Sequence, residues 1–194
     1  MKKETKWSID PAHSEIAFKV KHLMISNVRG TFRKFDADIH TNGLDFTTAM
    51  IDLWIDPSSV NTGDEKRDEH LKSPDFFDVM KTKEITFKAE TISKADAAGN
   101  HEMWGELSIK GISKNIKFNV VFGGIITDPW GNERAGFTVT GKINRKDWDL
   151  NWNTALNAGG MMVGEEIKII CDIQLINSTQ KDTVMELETS QEKK

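Results

Sequence analysis

Apolar and polar residues alternate along most of the chain with the period-two spacing of strands that bury one face and expose the other. In SEIAFKVKHL, Ile16, Phe18, Val20 and His22 share one face, while Glu15, Lys19 and Lys21 share the opposite one. AMIDLWID places Ile51, Leu53 and Ile55 inside, and EITFKAET places Ile85, Phe87 and Ala89 there. The same reading of NIKFNVVF selects Ile116, Phe118, Val120 and Phe122; AGFTVTGKI aligns Phe137, Val139 and Ile143. EEIKIICDIQLI lines up Ile167, Ile169, Cys171, Ile173 and Leu175. With VRGTFRKFDADIH and HEMWGELSIK added, the count reaches about eight strands, the size at which a closed antiparallel barrel encloses one small ligand. Turn signals fall between the runs, at Asn42-Gly43, at AAGN (97–100) and at Asp128-Pro129-Trp130-Gly131-Asn132.

Two segments break the alternation. Thr62-Gly63-Asp64-Glu65 has the form of a capping box and Pro74 follows, so RDEHLKS is predicted as a short helix. Arg67, His70 and Leu71 line one side of it. The pair Phe76-Phe77 directly after it predicts a lid or side wall with its aromatic end buried, and Arg67 or Arg145 is expected to hold Asp68 where lid and barrel meet. RKDWDLNWNTALNAGG is expected to carry a second helical turn ended by Gly159 and Gly160. The resulting fold class is all-β: an antiparallel barrel with one or two short helices over residues 1–176, and a polar tail over 177–194.

Composition narrows the function. A chain of 194 residues is long enough for one self-sufficient core. A net charge of -4 gives no electrostatic reason to expect nucleic acid. The single cysteine, Cys171, excludes an internal disulfide or a CxxC pair, and its place on an apolar face marks it as packing. No segment has the apolar length of a membrane-spanning helix. The N-terminus shows no signal-peptide pattern, so the chain as written is expected in the cytoplasm; a mature or trimmed form would be periplasmic.

Catalytic signatures are missing: there is no GxSxG, HExxH, Walker loop or GxGxxG. Asp10, His13 and Ser14 have the residue types of a triad but sit around Pro11 in a predicted turn, which favours a structural role. The five histidines lack the spacing of a metal site, and no metal is expected. Six Trp and ten Phe with no Tyr make an apolar aromatic inventory that suits a tunnel for a long apolar ligand.

The succession WSIDPAHSEIAFKVKHL, VRGTFRKFDADI, NTGDEKRDEHLKSPDFFDV, EITFKAE, GELSIKGISKNIKF and AGFTVTGKINRKDWDLNWNTALNAGGMMVGEEIKI closely resembles the YceI-like, polyisoprenoid-binding family, in order from residue 7 to about 176. The resemblance implies a lipocalin-like barrel whose tunnel holds a long isoprenoid or acyl lipid, often in a dimer, with no established catalysis. Family positions fall on His13, Ser14, His22, Gly30, Phe32, Arg67, Asp68, His70, Leu71, Phe76, Phe77, Gly105, Gly111, Asn144 and Arg145. Lys83 departs from a frequent proline, and Asp149 from the glycine usual after an aromatic. The secretion signal of many members is absent from this sequence as written.

The sequence therefore predicts a non-enzymatic barrel that carries, stores or sequesters an isoprenoid quinone, a polyprenyl chain or an acyl chain. No cofactor is expected beyond that hydrophobic ligand, and the resemblance leaves a homodimer open. The predicted lining is Phe18, Val20, Leu53, Phe87, Leu107, Ile109, Phe118, Val120, Phe137 and Ile169. His22, Arg67, Asp68, His70 and Arg145 are the candidates for polar groups at a head group or lid. The alternatives are an enzyme acting on such a lipid, with His22 or His70 moving a proton, and an interaction module with a filled barrel.

Overall fold

In the computed structural model, which describes residues 4–157 and 159–179, the alternating runs become eleven antiparallel strands. They are β1 (Glu4–Ile9), β2 (Glu15–His22), β3 (Ser26–Phe32), β4 (Phe35–Asn42), β5 (Asp45–Ile55) and β6 (Val60–Asn61), followed after helix α1 (Glu65–Lys72) by β7 (Ile85–Ile92), β8 (Asn100–Ile109), β9 (Ile112–Thr127), β10 (Glu133–Asn144) and β11 (Val163–Asn177). The order β1-β4-β5-β7-β8-β9-β10-β11 returns to β1, so eight strands form a closed, lipocalin-like barrel with no open edge in the ring.

The closing strand, β1, is one that the alternation reading passed over. Trp7 and Ile9 nevertheless point inward, alternating with Lys6 and Ser8, and Trp7 is 0% exposed. β1 pairs with β4 on one edge and with the last residues of β11 on the other. Further along, β11 pairs with β2 instead, from Asp172 to Val163. β1 and β2 thus follow one another along the same edge of β11, joined by a corner at 10–14. Asp10 N–H donates to Gln174 O at 2.8 Å and Ser14 Oγ accepts from Gln174 N at 2.9 Å, which keeps the corner on the ladder.

β2 and β3 form the wall at the far end, where β3 meets β6 only at Thr31 and Phe32. α1 and the residues after it cover this end: Phe77 packs edge-on against Phe32 with centroids 5.8 Å apart, and Phe76 lies 5.5 Å from Trp152. Both phenylalanines are buried, as a lid with an apolar underside requires.

Three local expectations need correction. α1 is capped by Asp64, whose carboxylate accepts from Arg67 N at 2.9 Å; Thr62 lies outside the cap and bonds elsewhere. The second helical turn is the short Arg145–Trp148 segment, and it ends at Asp149 in the left-handed region (φ 55°). Gly159 and Gly160 shape a later turn, since Gly159 N–H reaches back to Leu156 O. The expected tail begins as structure, because Asn177 ends β11 and Ser178 N–H donates to Lys6 O at 2.9 Å; residues 180–194 lie outside the described residues.

Candidate binding cavity

The inward faces enclose one cavity of about 740 Å³, toward the upper end of the roughly 300–1,000 Å³ usual for small-molecule sites. Phe18, Val20, Leu53, Phe87, Leu107, Ile109, Phe118, Val120, Phe137 and Ile169 all line it. A barrel of eight strands is narrow enough for side chains to fill, so the hollow needs a cause. Three phenylalanines lie over glycines of neighbouring strands. A Cβ placed on Gly30 would sit 2.3 Å from Phe18 Cζ, one on Gly141 2.4 Å from Phe118 Cδ1, and one on Gly105 2.6 Å from Phe87 Cζ. The missing Cβ atoms let these rings lie flat against the wall, leaving the axis free. The alternation marked the rings as inward; nothing in it distinguishes a ring that fills the lumen from one that lies along the sheet.

One end is packed with aromatic rings. Phe46 lies 4.9 Å from Trp7, 4.8 Å from Phe137 and 5.8 Å from Phe122, between the β4–β5 hairpin and β9–β10. Trp7 also donates its indole N–H to Thr41 Oγ1 at 2.9 Å. Phe46 was not foreseen, because FTTAM at the start of β5 shows no alternation.

The other end holds the polar candidates. His22, Arg67, His70 and Arg145 line the cavity there; Asp68 does not. Arg145 is 2% exposed, and burial pushes its pKa down from the usual guanidinium value, partly countered by the charge of Glu165. Among the described residues its guanidinium donates only to main-chain carbonyls: Gly164 at 2.9 Å, Trp152 at 3.0 Å, Val163 at 3.4 Å, and Leu150. These bonds tie the loop of 149–162 and the start of β11 to one buried cation. The expected arginine fork on Asp68 does not form. Asp68 instead accepts from Thr62 N at 2.8 Å and Thr62 Oγ1 at 2.6 Å, and Arg67 Nε donates to the same Thr62 Oγ1 at 2.8 Å. One short hydroxyl thus stands between carboxylate and guanidinium, placed by the turn before α1. His70 Nε2 is bonded to Asp75 Oδ2 at 2.8 Å, and its ring packs edge-on against Trp152, with centroids 4.6 Å apart. Lys21 also borders this end while staying exposed between half-buried Val20 and His22, as the alternation set it, and a bulge in β11 between Val163 and Ile167 lies opposite the end of β2.

The remaining chemical candidates take structural places. Cys171 is buried, and burial pushes its thiol up to about 12, which removes the thiolate needed for reactivity. Asp10 accepts from His13 Nδ1 at 2.9 Å and from Arg134 at 2.6 Å, while Ser14 bonds to Gln174 and not to His13. Arg134 also holds Asp128 at 2.7 Å, and this guanidinium keeps both carboxyls below the usual carboxylate range despite their burial. The group buttresses the β1–β2 corner from outside. Among the described residues no cluster of three or more His, Cys, Asp or Glu could hold a metal ion, and no helix is long and apolar enough to cross a membrane.

A closed eight-strand ring, an apolar cavity and glycines beneath its rings together make up this architecture. The model of the YceI-like domain matches residues 7–175. The chain belongs to the YceI-like family. Among curated relatives, a UPF0312 protein of Staphylococcus aureus strain MSSA476 is 41% identical over 165 residues, covering 84% of this chain and 93% of that protein. A solved YCEI protein of Campylobacter jejuni is 31% identical with a TM-score of 0.70, over 81% of this chain and 89% of that one. Burkholderia cenocepacia BcnA shares the fold at 22% identity and a TM-score of 0.71, over 86% and 98% of the two chains. So does a polyisoprenoid-binding domain of Saccharophagus degradans, at 14% identity and a TM-score of 0.63, over 88% and 98%.

Proposed function

We propose that this YceI-like barrel binds one long apolar lipid, of the isoprenoid or acyl class, and carries or sequesters it. The observation that carries the reading is the cavity itself: one apolar volume of about 740 Å³ that reaches from Leu44 and Phe46 at one end of the barrel to His22 and Arg145 at the other. A filled-barrel interaction module would leave no such space. Affinity would come from burial of ligand surface at about 25 cal/mol per Å², less the cost of ordering a flexible chain. The polyisoprenoid-binding domain of S. degradans, which shares the fold, supports the isoprenoid option.

The test is native mass spectrometry of the protein purified from its own host, followed by organic extraction and identification of what is released. A lipid present in one-to-one stoichiometry is the expected result. A clean apo mass that takes up no member of a prenyl or acyl series would reject the proposal.

A further inference from the structure

The charged residues that line the cavity are sorted by end. Lys21, Lys66, Arg67 and Arg145 border one end, whereas Asp45, at the start of β5 near the aromatic end, is the only carboxylate lining the cavity among the described residues. The cations belong to a single neighbourhood. Arg67 stands one helical turn before His70, whose ring lies against Trp152, and the Trp152 carbonyl accepts from Arg145. His22, next to Lys21, pairs in register with Val163, whose carbonyl also accepts from Arg145.

None of these four cations is in an ion pair among the described residues. Glu165, whose charge reaches Arg145, is itself engaged by Lys146 at 2.5 Å. Among the described residues Arg145 is held by main-chain carbonyls alone, so its hydrogen bonds are met without a carboxylate in contact. Arg67 is different. Thr62 takes its Nε and, through the main-chain oxygen at 3.0 Å, its Nη2, and its Nη1 has no partner among the described residues. The Thr62 hydroxyl gives its proton to Asp68, which turns a lone pair toward Arg67 and sets the direction of the guanidinium. Asp68 is held off Arg67 by the Thr62 hydroxyl, so among the described residues no carboxylate touches either guanidinium, and a neutral ligand would leave these cations without a direct counter-ion at the end of a low-dielectric cavity. An oxyanion there gains charge-assisted, fork-shaped hydrogen bonds.

We propose that the ligand is an anionic amphiphile, with its oxyanion at Arg67 over the buried charge of Arg145 and its apolar chain directed toward Phe46 and Phe137. The proposal rests on the lipid-binding reading above and adds to it the sign of the head-group charge and the orientation of the chain. A carboxylate and a phosphate share the required chemistry.

The experiment uses displacement of a neutral apolar fluorophore, N-phenyl-1-naphthylamine, from delipidated full-length protein by four ligands with the same chain: palmitic acid, hexadecyl phosphate, methyl palmitate and hexadecanol. The acid, the phosphate or both are expected to bind at least about tenfold tighter than the ester and the alcohol, a factor equal to about 1.4 kcal/mol. Preference for one anion names the source. In Arg67→Met, with its fold checked by circular dichroism, that preference is expected to disappear. Equal affinity of all four ligands for the wild-type protein overturns the anionic head group and leaves the lipid-binding reading intact. Displacement by none of them overturns both. Preference that survives in folded Arg67→Met overturns the assignment to Arg67, and the wild-type comparison decides the charge even if that variant fails to fold.

Discussion

Asp149 illustrates what a single residue decides. It closes the Arg145–Trp148 turn at φ 55°, in the region where a side chain costs energy and glycine does not, and it stands where the resemblance places a glycine. Its side chain has only a long 3.3 Å contact from Asn151 to lose. Asp149→Gly is therefore expected to stabilise the protein by about 0.5–1 kcal/mol, read as a rise in thermal midpoint. An unchanged or lower midpoint would mean that the backbone there is not strained. Thr62 decides at the same scale. Read in sequence as a helix cap, it turns out to separate Asp68 from Arg67, because the φ and ψ of Asp64 give the cap to that residue. Local spacing allows both roles, and only the path of the turn selects one.

Among the elements, β1 and the glycine-bearing strands matter most. The short run KWSI has too few alternations to stand out in the sequence, yet its Trp7 fills the space between β4 and β11 and makes the sheet a ring. The glycines of β3, β8 and β10 act through their neighbours. Gly141 faces Phe118 across the β9–β10 ladder, and a methyl group there would push the ring into the lumen. Gly141→Ala is expected to cost about 1–3 kcal/mol of stability through overpacking and to reduce lipid uptake. Pairing it with Phe118→Leu is expected to recover part of the stability, since the smaller side chain vacates the clash. A single variant that keeps both its thermal midpoint and its lipid capacity would show that the glycine does not make the room. The lid belongs to this scale as well: a short helix and Phe76-Phe77 were legible from a charge run ended by proline and two aromatics, whereas the rings they would meet, Phe32 and Trp152, come from strands and loops distant in sequence.

For the whole molecule, the consequence of a hollow barrel is selection by length. Each buried CH2 contributes roughly 0.8 kcal/mol, about fourfold in affinity, so homologues with one head group should bind progressively tighter until the chain reaches the Phe46 end and then level off. Displacement constants across a homologous series measure this; a flat series would rule out a tunnel that holds the chain along its length. The sequence by itself determined most of the strands, their inward faces and the barrel class, because burial of one sheet face imposes a period of two along the chain. It also marked Arg67, Arg145, His22 and His70 as polar residues worth following. Only the tertiary structure decided that the barrel is closed by Trp7, that side chains leave its axis open, and that the cations gather at one end with Asp68 held off Arg67 by the Thr62 hydroxyl. Those properties arise from which residues face each other across strands and loops far apart in the chain, and pairwise closeness of that kind leaves no period to read.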